Sequence, residues 1–216
     1  RSPSRGLGDV YKRQDNNMHP YHIVLHQALK DSDHDNRLNH CHWMLNMIRE
    51  NQNFLTQILW TDEATFSSAG GVNLHNMHYW SEENPHWMRE VEHQNRWSLN
   101  VWCGSLDGKI IGPHFFEETV NGERFLEFLT NQLPPILEDI SLETRRNMWF
   151  QLDGCPAHYS QNVRSFLNNR YSNRVIGRGS LFPWPARSPD LTCLDFYLWG
   201  RICLLYTSPS PRDGLL

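Results

Sequence analysis

Residues 58–66, Ile-Leu-Trp-Thr-Asp-Glu-Ala-Thr-Phe, are an apolar run of strand formers with two carboxylates, Asp62 and Glu63, at its centre. No other feature of the chain limits its fold so tightly. The run is too short for a free helix and reads as a central strand. A carboxylate in a strand centre is disfavoured, and a buried one is costly unless something compensates its charge. Successive strand residues face opposite sides, so Asp62 and Glu63 cannot both point at one site.

The surrounding pattern supplies the rest of a sheet. Asp31-Ser32-Asp33 reads as a helix start, followed at helical spacing by Leu38, Cys41, Leu45 and Ile48, and this helix should run to about Asn51. Gly70-Gly71 is expected to turn into a second strand, with a third at His78–Trp80 and a polar loop over Ser81–Asn95. Arg96–Gly104 alternates through Trp97, Leu99, Val101 and Cys103; Asp107-Gly108 is a hairpin signal, and Lys109–Phe116 should return antiparallel. Glu123–Leu137 predicts a helix, Asn147–Leu152 a short strand, Ser160–Asn168 a helix and Val175-Ile176 a last strand. A Gly- and Pro-rich loop from Gly177 to Pro189 then leads to a final helix over Leu191–Ile202. Hairpin strands first, then strands alternating with helices, give an α/β class: one mixed sheet with helices packed on both faces.

The two ends read differently from the rest. Asp9–Gln14 can be written in codons whose reverse complement, shifted by one base, encodes Cys203-Leu204-Leu205-Tyr206-Thr207-Ser208. One DNA string on opposite strands, resembling a sequencing-library adapter, accounts for both. Residues 1–14 and 203–216 are therefore expected to be adapter-derived, 15–52 to be a connector helix region, and 53–202 a catalytic domain cut short at its C-terminus. The full chain carries a net charge of −4; without Arg1, Arg5, Lys12, Arg13, Arg212, Asp9 and Asp213 it is −7. Strong DNA affinity rests on Lys and Arg neutralising phosphates, so a separate basic domain is expected to deliver any DNA. No run of about 18 apolar residues exists, and no membrane span is expected. Cys41, Cys103, Cys155 and Cys193 show no CxxC spacing and read as reduced thiols. His40-Cys41-His42 invites a zinc reading, but adjacent helical residues point to different faces and cannot easily chelate one ion.

Besides Asp62, two carboxylates stand in places that need a reason. Asp153 directly follows the apolar strand and precedes Gly154, at the strand-to-helix junction where α/β sheets place ligand-binding residues. Asp195 is surrounded by Leu194, Phe196, Tyr197, Leu198 and Trp199. With Thr192 as N-cap it takes the third helical position, where it could simply bond the cap. A metal role would relieve the same desolvation cost. Three carboxylates from separate elements can converge on two divalent ions about 4 Å apart, which hold a scissile phosphate and activate water. Mg²⁺ suits such work because it accepts oxygen ligands and keeps waters for substrate to displace. Spacing alone does not select these three from 24 acidic residues.

The words around them do. Trp60-Thr61-Asp62-Glu63-Ala64-Thr65-Phe66, Leu152-Asp153-Gly154-Cys155-Pro156-Ala157-His158 and Trp184-Pro185-Ala186-Arg187-Ser188-Pro189-Asp190-Leu191-Thr192-Cys193-Leu194-Asp195 resemble the three blocks of mariner-type transposases. Trp80–His86 and Asn100–Gly104 also resemble that family, so the likeness covers nearly all of 53–202. It implies an RNase H-like catalytic domain, two Mg²⁺ or Mn²⁺ ions, and cut-and-paste transposition in the nucleus. The implied partners are the transposon inverted repeats, target DNA and a second copy in a homodimer, with two helix-turn-helix modules ahead of the core. Carried over, Asp62, Asp153 and Asp195 are the catalytic and metal-binding residues. Asp190, in the same block, is expected to belong to the loop that sets up the helix. With 41 residues between Asp153 and Asp195, longer than in mariner proteins proper, the chain resembles a neighbouring branch ending in Asp. His158 stands where the family often has a histidine and would contact phosphate or pack; Arg178 and Arg187 are DNA-contact candidates. Cys155 and Cys193 depart from the small Ala and the Pro expected there. Two other readings stay open: an inactive or domesticated copy that binds without cutting, and another RNase H-like nuclease.

Overall fold

A computed structural model describes residues 28–67 and 98–207, with side chains to residue 203. The strand pair expected from Gly70-Gly71 and at His78–Trp80, and the loop over Ser81–Asn95, lie outside the described residues. Helix α1 (Asp31–Glu50) begins where its acidic start predicts, with the Lys30 N–H donating to Asp33 Oδ2 at 2.8 Å. A short 3₁₀ turn (Phe54–Gln57) leads into β1 (Ile58–Ser67), followed by β2 (Ser98–Leu106) and β3 (Lys109–Phe116). Asp107 and Gly108, at φ 51° and 72°, make the tight turn between β2 and β3 that their identities predict. Then come α2 (Gly122–Glu127), α3 (Leu133–Ile136), α4 (Leu142–Asn147), β4 (Trp149–Gln151), α5 (Gln161–Tyr171), β5 (Val175–Ile176) and α6 (Gly200–Thr207).

The sheet order is β3-β2-β1-β4-β5, with β1–β2 and β2–β3 antiparallel and β1–β4 and β4–β5 parallel. The strand with the two carboxylates is its centre. Each face is covered, and alternation along β1 divides the side chains. Leu59 joins Trp102, Leu106, Phe125, Phe128, Phe150 and Val163 under α2, α3 and α5. Ile58 joins Phe54, Ile176 and Trp184 under α1 on the opposite face, while Ala64 and Phe66 join Val101, Cys103, Leu194 and Trp199. The mixed sheet with helices on both faces is the one the strand pattern predicts.

Two local expectations change. The helix expected over Glu123–Leu137 is broken by a π-helical stretch at Phe128–Gln132, directly before Pro134-Pro135. Proline lacks an N–H and clashes with the preceding turn, so the chain widens there before restarting. On α1 the stripe Leu38, Cys41, Leu45, Ile48 is only in part the buried face: Leu38 and Leu45 are about half exposed, while Ile48 packs inward with His40, Trp43, Met44 and Met47. Large aromatic surfaces won over the leucines, with Trp43 stacked on Phe182 at 4.6 Å.

Candidate active site

Parallel pairing of β1 with β4 holds at Ile58↔Trp149 and Leu59↔Phe150 and then stops. Beyond it the strands part, and side chains take over the bridging. The buried Gln151 accepts the Thr61 N–H on its side-chain oxygen at 3.0 Å, and its carbonyl accepts the Thr61 hydroxyl at 2.6 Å. The resulting crevice, about 430 Å³, is lined by Thr61, Asp62, Glu63, Asp153 and Asp195 together with the loop Trp184–Pro189. The three carboxylates singled out in the sequence thus share one cleft at the carboxyl end of a parallel strand, where open α/β sheets place their ligands.

Asp62 points to the α1 side of the sheet. Its Oδ2 accepts the Trp199 indole N–H at 2.7 Å. Asp195 and Trp199 are four residues apart in a second π-helical stretch, Leu194–Trp199, so both reach Asp62 from one helical face. Burial, then the charge of Asp195, push the Asp62 carboxyl up to about 7, against the Trp199 hydrogen bond. Partial desolvation and the Asp153 charge also raise Asp195, against its own hydrogen bond with Asp62. With Asp195 raising Asp62 and Asp153 raising Asp195, the three carboxyls leave an unmet demand for positive charge. An all-oxygen donor set of this kind fits a hard divalent cation. Thr192 does cap the helix, its hydroxyl accepting the Leu194 N–H at 3.3 Å, but Asp195 turns to Asp62 and not back to the cap.

Asp153 follows β4 by two residues. Its Oδ1 accepts the Cys155 N–H at 2.9 Å and meets His158 Nδ1 at 2.7 Å. Burial would raise this carboxyl, but the hydrogen bond and charge of His158, with the Cys155 N–H, outweigh it and hold Asp153 below the ordinary range. No donor among the described residues reaches Oδ2. His158, read as a phosphate contact or a packed residue, lies 4% exposed behind Asp153, its ring 4.3 Å from that of Phe125 and its Nε2 3.2 Å from Glu63 Oε1. Its burial opposes protonation, but Glu63 and Asp153 prevail and hold its pKa well above the usual value. The geometry therefore makes it a support of the carboxylate and closes it to solvent phosphate.

The remaining candidates separate. Arg187, a DNA-contact candidate, pairs with Asp33 on α1, its Nε at 2.6 Å and Nη2 at 2.5 Å from Oδ2. Asp190 belongs to the loop, as expected; Arg37 grips it through both guanidinium nitrogens, at 3.0 and 2.5 Å. Arg178 is exposed, lies over the Tyr159 ring at 4.4 Å and passes beside Gly154. His40 is buried against Trp43 and Trp184 as a packing residue. Asp153, Cys155 and His158 come within 4.8 Å of one another. At 2.7 Å the His158–Asp153 contact is a hydrogen bond and not the spacing of two ligands on one ion. Glu63, Trp199 and the Arg37–Asp190 pair were not singled out from the sequence. Only Glu63 left a signal there, as the second carboxylate of the central strand.

The chain resembles the Tc1 transposase of Caenorhabditis elegans, 26% identical over 171 residues, covering 77% of this chain and 58% of that protein. It also resembles the Tc3 transposase of the same organism, 28% identical over 103 residues, covering 48% and 28%. It thus spans less than two thirds of the length of either relative. Among solved structures, the catalytic domain of Mos1 mariner transposase superposes with a TM-score of 0.61 at 19% identity, covering 88% of this chain and 81% of that one. The Mos1 paired-end complex with the left transposon end gives 0.68 at 20% identity, covering 92% and 56%. These show the RNase H-like fold. The model of the DDE superfamily endonucleases matches residues 57–200, a span that opens one residue before β1 and contains all three carboxylates; the chain belongs to that family.

Proposed function

We propose that this chain is the catalytic core of a cut-and-paste DNA transposase that cleaves DNA strands at transposon ends and joins them to target DNA. The observation that carries this is the convergence of Asp62, Asp153 and Asp195 in one cleft, where the charge of Asp195 raises Asp62 and that of Asp153 raises Asp195. Asp62 and Asp195 would hold one divalent ion and Asp153, through its uncommitted Oδ2, would help hold a second. Mg²⁺ or Mn²⁺ bound there would supply Lewis-acid stabilisation of a phosphoryl group and a water of lowered pKa. The chain's own part is to fix the carboxylates on three elements, and to wall the cleft with the loop Trp184–Pro189. Arg178, exposed beside Gly154, is proposed to meet the DNA backbone, and the inverted repeats would be read by modules outside this core. The complete protein is proposed to act in the nucleus, as a homodimer.

The test is strand nicking of supercoiled plasmid by this chain in Mn²⁺, alongside the same chain with Asp62→Asn, Asp153→Asn or Asp195→Asn. Each substitution should lower nicking by at least about 100-fold, since residues that act as one unit fail together. Equal nicking by the wild type and all three variants would overturn the reading. A copy that binds without cutting would bind DNA and nick nothing. A nuclease unrelated to transposition would, in the complete protein, cleave equally well with and without transposon ends.

A further inference from the structure

On the helix α2/α5 face of β1, three successive side-chain positions meet a widening gap to β4. Leu59 is still backbone-paired with Phe150. Thr61 is reached by one side chain, Gln151. Glu63 is reached through two side chains, by way of His158 to Asp153, at 3.2 and 2.7 Å. The series ends on a residue of the catalytic set, and it starts from the neighbour of another. Glu63 is fixed by the antiparallel ladder opposite Trp102, in the middle of the sheet. Asp153, by contrast, sits in a loop with its side chain half exposed, anchored within its own segment only by the Cys155 N–H.

We infer that Glu63 is a positioning residue: through the buried His158 ring it fixes the Asp153 carboxylate relative to Asp62, and so sets the separation of the metal ligands. This rests on the reading of the cleft given above. An imidazole flanked by a carboxylate at each end has a partner at both nitrogens, so a flipped or turned ring would lose both contacts. Phe125 packs against the ring at a tilt of 44°, and Glu63 holds the ring's far nitrogen. Burying a charged chain of three groups is expensive, and apolar residues of the same volume would serve packing as well or better. What they would not do is aim Asp153. The strand's alternation thus gives both carboxylates of the central pair a part in the cleft, Asp62 directly and Glu63 from behind. Outer partners of metal ligands typically carry 10–100-fold of metal affinity.

The experiment is Mn²⁺ binding to this chain, followed by the electron paramagnetic resonance signal of free Mn²⁺, with the metal-free thermal midpoint measured in parallel. Glu63→Ala should weaken binding about 10–100-fold. Glu63→Asp keeps the charge but draws the oxygen back by a methylene, and should weaken binding by several-fold. Glu63→Gln keeps an acceptor at the right reach and should stay within about twofold of wild type. A merely structural role would lower the midpoint and leave affinity alone. Wild-type affinity in both Glu63→Ala and Glu63→Asp, with binding lost in Asp153→Asn, would overturn the positioning role and leave the cleft reading intact. Binding unchanged in Asp153→Asn as well would sink the cleft reading itself. If Glu63→Ala does not fold, the contrast between Glu63→Asp and Glu63→Gln decides.

Discussion

Asp62 carries the largest electrostatic conflict in the cleft. Its folded-state pKa of about 7 stands above the ordinary 3.8, so the folded protein holds a proton that the unfolded chain releases. The sign follows: the metal-free protein has this contribution in full below about pH 4, and loses it as pH rises toward 7. Asp62→Asn removes the titration, so thermal midpoints of wild type and variant, followed from pH 4 to 8 without metal, should diverge by roughly 5 °C, the variant gaining at high pH. Added Mn²⁺ should raise the wild-type midpoint most at the alkaline end and leave the variant nearly unmoved. A pH-independent difference would show that Asp62 is not the strained group. Asp153 behaves oppositely, because His158 offers it a compensating charge. Three carboxylates of one cleft therefore differ by environment, and no property of the isolated residues distinguishes them.

At the scale of elements, the loop before the last helix is held to α1 by reciprocal ion pairs. Asp33 of α1 takes Arg187 of the loop, and Arg37 of α1 takes Asp190, with Ser188 also accepting from Arg37 at 2.6 Å. The Arg37–Asp190 pair is more than half open on the Asp190 side and should be worth only about 0–1 kcal/mol. Asp33 keeps only 4% of its surface, so losing its partner strands a buried carboxylate. Arg187→Ala should accordingly lower the thermal midpoint more than Asp190→Ala, and should also slow plasmid nicking, because the loop walls the cleft. Equal effects in chemical denaturation would deny the distinction. In the sheet, a methyl on Gly104 would stand 2.9 Å from Leu59 and 3.3 Å from the Trp60 carbonyl. Gly104→Ala should cost about 1–3 kcal/mol, measured by urea unfolding, since neither strand can give way without disturbing the site.

For the whole molecule, charge and core make opposite demands. The core is dense in aromatics on both sheet faces, and Phe125, fully buried against Phe128 and His158, joins the core to the cleft. Phe125→Ala should cost about 3–5 kcal/mol and lower Mn²⁺ affinity as well, which Leu129→Ala, away from His158, should not do. The chain is acidic overall, at −4, yet Arg164 and Arg178 lie against one ring, Tyr159, at 4.6 and 4.4 Å. Among the described residues neither has a carboxylate within salt-bridge distance. If they meet DNA phosphates, replacing either by Ala should reduce the slope of log affinity against log salt by about 0.9, read from fluorescence anisotropy of a short duplex. An unchanged slope would place the DNA elsewhere.

The sequence by itself marked most strands of the described sheet and, through its resemblance, named three carboxylates that the fold brings into one cleft. Period-two runs, the Asp107-Gly108 turn and the apolar strand Trp149–Gln151 are local signals, and local signals survive without knowledge of the partner. It also marked Glu63 as a second carboxylate and His158 as a phosphate or packing residue, but not that the two meet, because 95 residues separate them. The buried face of α1 was misread for the same reason: leucine spacing is local, whereas the aromatic cluster of Trp43, Trp149 and Phe182 exists only once three distant segments meet. Only the tertiary structure decided that Arg187 serves Asp33, that Asp190 serves Arg37, and that Asp195 faces Asp62 and not its own helix cap. Those outcomes are set by which charges come together when the core closes, a matter of distance in space that residue order does not contain.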